Sequence, residues 1–148
     1  MRVAFTDIDN FGWTAGAHYY ANLFRALATL DADRPEIVVA DRVGGAIGGY
    51  DTYRELADGV VPLPAPPPKR FADRVKGRLG AAPPRHPAEA VLADAGIDVV
   101  FACWRQFGPD FAVPTLGWIP DFQHRHHPDL FPAEELAYRD QLFTAMAA

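Results

Sequence analysis

The sequence predicts an α/β domain, a parallel sheet with helices on both faces, and three observations near its start predict it. Residues Arg2 to Ile8 form a short apolar run with β-type alternation that leads into the glycine-containing turn "DNFGWTAG". From about Ala15 the period changes, and Tyr20, Leu23, Phe24, Leu27 and Leu30 fall at three- and four-residue spacing, the stripe of an amphipathic helix. "EIVVAD" (36–41) is then an apolar run of buried-strand type. Strand, turn, helix and strand within about forty residues make a βαβ unit, whose crossover is right-handed and whose strands are parallel.

The remaining elements follow in order. Thr14 and Gly16 sit where the first helix starts, and "DADRP" stops it. "RVGGAIGGY" (42–50) reads as a glycine-rich loop, Asp51 as the cap of a short helix ending at Gly59, and "VVPLP" as another short strand. Residues 62–87 form a proline-rich basic insertion with a helix inside it. Pro87 suits the first turn of a helix running through Ala95, and Gly96 supplies its left-handed C-terminal cap. "IDVVFAC" (97–103) is an interior strand, and "VPTLGWI" (113–119) is read as the next buried one. Pro132, Glu134 and Glu135 open a last helix whose acids complement its dipole and whose Leu136, Leu142, Phe143 and Met146 face a core. That helix shows no stop signal, so the pattern is expected to continue in a longer polypeptide.

Composition narrows the function classes. A chain of 148 residues, 49% hydrophobic and 22% charged, is long enough for one soluble domain with a real core. A formal charge of -5 opposes a general nucleic-acid binder. The single cysteine, Cys103, makes no internal disulfide and is read as a buried structural thiol, and a cytoplasmic location is expected. The opening apolar run is broken by Asp7 and Asp9, so it is neither a signal peptide nor a membrane span. Charge is unevenly spread: between Lys69 and Arg85 six cations meet one acid, Asp73, giving about +5 against about -10 for the rest. Phe71, Val75 and Leu79 lie four apart there, a narrow apolar stripe flanked by cations that suits either an exposed helix packed on its own domain or an anionic membrane surface.

Parallel sheets bind ligands outside the carboxyl ends of their strands. Two stretches lie there. In "GWTAGAHYYANL" Gly16 allows close backbone approach, and the free N–H groups of the helix start favour an anion such as phosphate, although neither common phosphate-binding glycine motif is matched. In "PDFQHRHHPD" the imidazoles of His124, His126 and His127 titrate near neutrality, and Asp121, Gln123 and Arg125 offer hydrogen bonds to hydroxyls and charge to phosphates. His127 is read as a solvated loop residue. A metal site is disfavoured, because alternate side chains of an extended segment point apart and no helical His pair at four-residue spacing occurs. Trp104, Arg105 and Gln106 follow a third strand end, from which Arg105 reaches the same cleft.

"GWTAGAHYYANLFRAL", followed at a distance by "GWIPDFQHRHHPDLFPAEELAYRD", resembles the N-terminal half of bacterial glycosyltransferases of the family 4 type. The anchors span residues 11–30 and 116–140, and the second is the more specific. The resemblance implies a Rossmann-like N-terminal domain on the acceptor side of a two-domain GT-B architecture. A C-terminal domain, not in this sequence, would hold the nucleotide-sugar donor and the paired glutamates of these retaining enzymes. It also implies that Ala15 and Gly16 approach the donor across the cleft, Ala-Gly standing where relatives carry paired glycines. His124 and Asp121 are the implied catalytic residues, with Gln123, Arg125 and His126 binding substrate. Pro132 replaces a helix-capping serine and still suits a first turn.

The implied reaction is transfer of a sugar from a nucleotide-diphosphate donor to an acceptor hydroxyl, of a glycan or another molecule, with retention and without metal or other cofactor. The chain alone is expected to be inactive, at the inner face of the membrane if residues 69–85 bind it. The alternative is a non-enzymatic α/β ligand-binding or interaction domain on the same scaffold, because a fold does not dictate a function.

Overall fold

The computed structural model describes residues 1–8, 14–42, 51–64, 86–103, 107 and 110–147. Five strands, β1 (Arg2–Thr6), β2 (Glu36–Arg42), β3 (Gly59–Leu63), β4 (Val99–Cys103) and β5 (Thr115–Trp118), form one sheet. Its order is β3-β2-β1-β4-β5, and every pairing is parallel. The helices are α1 (Thr14–Leu27), α2 (Ala88–Asp94), α3 (Gln123–His126) and α4 (Ala133–Met146), with short 3-10 turns at Asp51–Leu56 and Pro128–Leu130. This is a Rossmann-like α/β arrangement, with the chain moving outward from β1 first on one side and then on the other.

Alternation along the central strand divides the core. Val3 and Phe5 of β1 point to one face, where Ala17, Tyr20, Ala21 and Phe24 of α1 and Tyr53 cover them. Ala4 points to the other, with Val38, Ala40, Val100 and Ala102, under Ala88 and Leu92 of α2. The first face is aromatic. Phe5 packs edge-on against Tyr20 at 5.6 Å and Phe24 at 4.7 Å, and Tyr19 stacks on Trp118 of β5 at 4.2 Å. The second face is aliphatic, with Leu92 of α2 fully buried.

Local polar contacts fix the strand ends. The Asp58 carboxylate accepts from the Ile37 amide at 2.8 Å and from Arg34 at 2.9 Å, joining the start of β2 to the turn before β3. Arg34 accordingly holds the Asp58 carboxyl below its ordinary value. Gly96 has φ of 65° and ends α2 as expected, its amide donating to the Ala93 carbonyl at 2.9 Å.

Several expectations are corrected. Leu30 lies outside α1 and is 43% exposed, because the chain tightens through the Thr29 and Leu30 amides onto carbonyls three residues back and leaves the helical stripe. The helix expected to run from Asp51 to Gly59 is a 3-10 turn that stops at Leu56, and Gly59 opens β3. Pro62 within β3 is tolerated because β3 is an edge strand. The strand around "VPTLGWI" is the opposite edge, not a buried strand: Thr115, Leu116 and Gly117 are exposed, Leu116 by 57%. At Gly117 the Met146 side chain approaches the strand, with Cε 3.2 Å from where a Cβ would sit.

Among the described residues no helix is long and apolar enough to cross a membrane. The basic segment 69–85, most of the insertion at 62–87, the turn residues 9–13, Arg105 and the Cys103 thiol fall outside what the structure describes.

Replacing Phe5 by Ala is expected to cost about 3–5 kcal/mol, since it removes the ring around which both aromatic neighbours pack. Gly96→Ala should cost about 1–2 kcal/mol through its left-handed backbone. Gly59→Ala, which meets nothing within 4 Å, should stay within about 0.5 kcal/mol. Urea midpoints at constant m-value check all three; a silent Phe5→Ala would contradict the two-faced core.

Candidate functional site

In a parallel sheet all carboxyl ends lie along one edge, and here the chain reverses its outward direction between β1 and β4. That reversal marks the crevice in which sheets of this type hold ligands. From β1 come Thr6, Asp7 and Ile8, leading to α1; from β5 come Ile119 and Pro120, leading to residues 121–127.

The β1 end is tied down on three sides. Tyr20 donates from its hydroxyl to the Thr6 carbonyl at 3.1 Å, Asp7 donates its amide to the Ala40 carbonyl at 3.1 Å, and the Ile8 amide reaches the Tyr53 hydroxyl at 3.5 Å. Asp7 is only 3% exposed. Burial pushes the Tyr53 hydroxyl up from its ordinary value, and the Arg54 guanidinium partly opposes this. Arg54 is itself paired with both oxygens of Asp41. Of the residues named from sequence, Ala15 is exposed and Gly16 buried in the first turn of α1. Asp7 and Tyr53 were not singled out. Their one sequence signal was an acid placed directly after an apolar strand.

The segment after β5 is not extended. Asp121 accepts the Gln123 amide at 3.0 Å, and the chain closes into the single turn of α3, with the His127 amide on the Gln123 carbonyl at 2.7 Å. This corrects the alternation assumed for the histidines. His124 turns inward, its side chain 1% exposed, against Phe143 at 5.2 Å between ring centroids. Gln123, Arg125, His126 and His127 remain exposed. Among the described residues no three His, Cys, Asp or Glu side chains converge as a metal site would require.

Helix α4 holds this turn through two consecutive residues. Asp140 Oδ1 lies 2.9 Å from His124 Nε2 and 2.8 Å from Arg125 Nε. Arg139 lies 3.7 Å from Asp121 Oδ1, donates to Glu135 at 2.7 Å and stacks over Phe131 at 4.6 Å. The hydrogen bond from His124, aided by Arg125, holds the Asp140 carboxyl below its ordinary value. In the sequence the Arg139 and Asp140 pair is legible only as "RD" within a helix, without a stated role.

The structure thus places Asp121, Gln123, His124, Arg125 and His126 together on one turn, and places Ala15 and Gly16 after another strand end of the same sheet edge. The arrangement offers hydrogen-bond donors and acceptors of both charge signs, with the acids Asp121 and Asp140 largely neutralised by Arg139, His124 and Arg125. Comparison with protein-family models, curated proteins and solved structures finds no match for this chain.

Because the folded-state value of Asp140 is depressed, its contribution to stability is full above the ordinary carboxyl range and is lost as pH falls through the lower folded value. The stability difference between the native chain and Asp140→Asn should therefore shrink as pH falls below about 4, the ordinary carboxyl value. Urea unfolding at several pH values checks this; a difference that does not shrink below about pH 4 would contradict the pairing.

Proposed function

We propose that this chain is the acceptor-side half of a two-domain glycosyltransferase of the family 4 type. The parent transfers a sugar from a nucleotide-diphosphate donor to an acceptor hydroxyl with retention of configuration. The observation that carries the reading is the placement of one polar turn, residues 121–127, at the carboxyl edge of an all-parallel sheet whose first strand leads into a glycine-containing helix start.

Each residue has a chemical part in this reading. The backbone at Ala15 and Gly16, in the first turn of the fourteen-residue α1, faces the anionic donor. Arg125, 62% exposed, and the exposed Gln123 and His126 hydrogen-bond substrate hydroxyls or phosphate oxygens. Asp121 accepts from a sugar hydroxyl with the oxygen not engaged by Gln123. His124, with its ring buried and Nδ1 closed to solvent, supports the turn from within. A second domain supplies the donor site, and the departing diphosphate is stabilised by positive side chains and helix N-termini without a metal.

The test is to read and express the whole reading frame that contains these residues, then assay it with a panel of nucleotide-diphosphate sugars. A second α/β domain and retained anomeric configuration are expected, with no turnover by residues 1–148 alone. Arg125→Ala should lower kcat/KM by about tenfold to a hundredfold, the value of one charge-assisted hydrogen bond. Robust turnover by residues 1–148, or ligand binding without transfer by the whole frame, would overturn the reading, the latter in favour of a binding domain.

A further inference from the structure

A helix of four residues cannot hold itself, since nucleation costs more than one turn returns. Neither Phe122 nor His127, which flank α3, supplies a side-chain cap. Within the turn the Asp121 carboxylate holds the Gln123 amide, and the side-chain contacts that brace it from outside come from α4.

We infer that Asp140 is a positioning residue for this site: its Oδ1 receives the N–H of both His124 Nε2 and Arg125 Nε, and so selects the ring tautomer of His124 and the direction of Arg125. The consequence for catalysis rests on the proposed transferase reading; the positioning itself does not.

An ionised carboxylate only accepts hydrogen bonds, so the nitrogen that faces it must carry hydrogen. With Nε2 as the donor, a neutral imidazole has no hydrogen left for Nδ1. That atom is buried and has no hydrogen-bond partner among the described residues. A buried acceptor without a donor is costly, and the ring cannot relieve the cost by moving its proton without breaking the bond to Asp140. Asp140 thus keeps Nδ1 as a lone pair able to accept from a hydroxyl or N–H. One carboxylate oxygen has room for both donors, at 2.9 and 2.8 Å, so a single side chain sets two neighbouring groups at once.

The preceding residue does the complementary work. Arg139, braced by Glu135 and Phe131, reaches Asp121 at the other end of the turn. Successive helix residues project about 100° apart, so Arg139 and Asp140 engage the turn from two directions.

The experiment is long-range 1H–15N correlation NMR of the histidine rings in residues 1–148 near pH 8.5, about two units above the ordinary imidazole value. The native chain should show His124 protonated at Nε2. Asp140→Ala should lose that single tautomer and move the Arg125 Nε signal, while amides of Phe5 and Val39 in the sheet stay in place. Arg125→Ala should leave the His124 tautomer unchanged. A native His124 protonated at Nδ1, or an Asp140→Ala spectrum with both side-chain signals unmoved, would overturn the inference. If Asp140→Ala does not fold, the native tautomer decides alone. None of these readings depends on sugar transfer, so failure here and failure of the transferase reading are distinguishable.

Discussion

The structure depends on burying β1 on both faces. A central parallel strand can satisfy its backbone only through two neighbours and can hide its side chains only under two layers, so β2, β4, α1 and α2 are all requirements of that one strand. Its sequence meets the requirement unequally: Phe5 packs into an aromatic layer, whereas Ala4 lies in an aliphatic one. Tyr20, one of the rings packed on Phe5, is also the residue whose hydroxyl fixes the Thr6 carbonyl where β1 ends.

Much of this was legible in the chain because it is written in short-range patterns. The alternation of Arg2 to Ile8, the helical stripe through Tyr20 and Phe24, the apolar run at 36–41 and the glycine at 96 each express a local constraint, and each is found in the fold. What escaped is information that spacing does not carry. Leu116 and Trp118 have a strand's periodicity whether the strand is interior or at an edge; only the order of the whole sheet makes β5 an edge. Residues 123–126 are too few for any period to show, so an extended reading and a helical turn were equally compatible with the letters. Gly59 looked like a helix end because glycine also suits strand starts.

The turn at 121–127 was legible as a polar stretch after a strand and not in its internal geometry. Asp121, Gln123, His124, Arg125 and His126 were grouped because they follow an apolar strand, and the fold does bring them onto one turn. Their division into one buried histidine and four partly or fully exposed neighbours could not be read, because it is set by Asp140, sixteen residues after His124, and by Phe143 on the same helix. In the sequence, "RD" inside a helix is indistinguishable from two solvated charges. Packing turns it into the bracket that orients the turn, which ties the last helix to whatever chemistry the edge performs.

The central claim is that this sheet edge is one wall of a sugar-transfer site. The most direct measurement is hydrogen–deuterium exchange of the whole reading frame with and without a nucleotide-diphosphate sugar. Slower exchange is expected in residues 14–17 and 121–127 on donor binding, with β4, an interior strand of the sheet, unchanged. Protection absent from both edge segments, or confined to α2 on the opposite end of its connection, would contradict it.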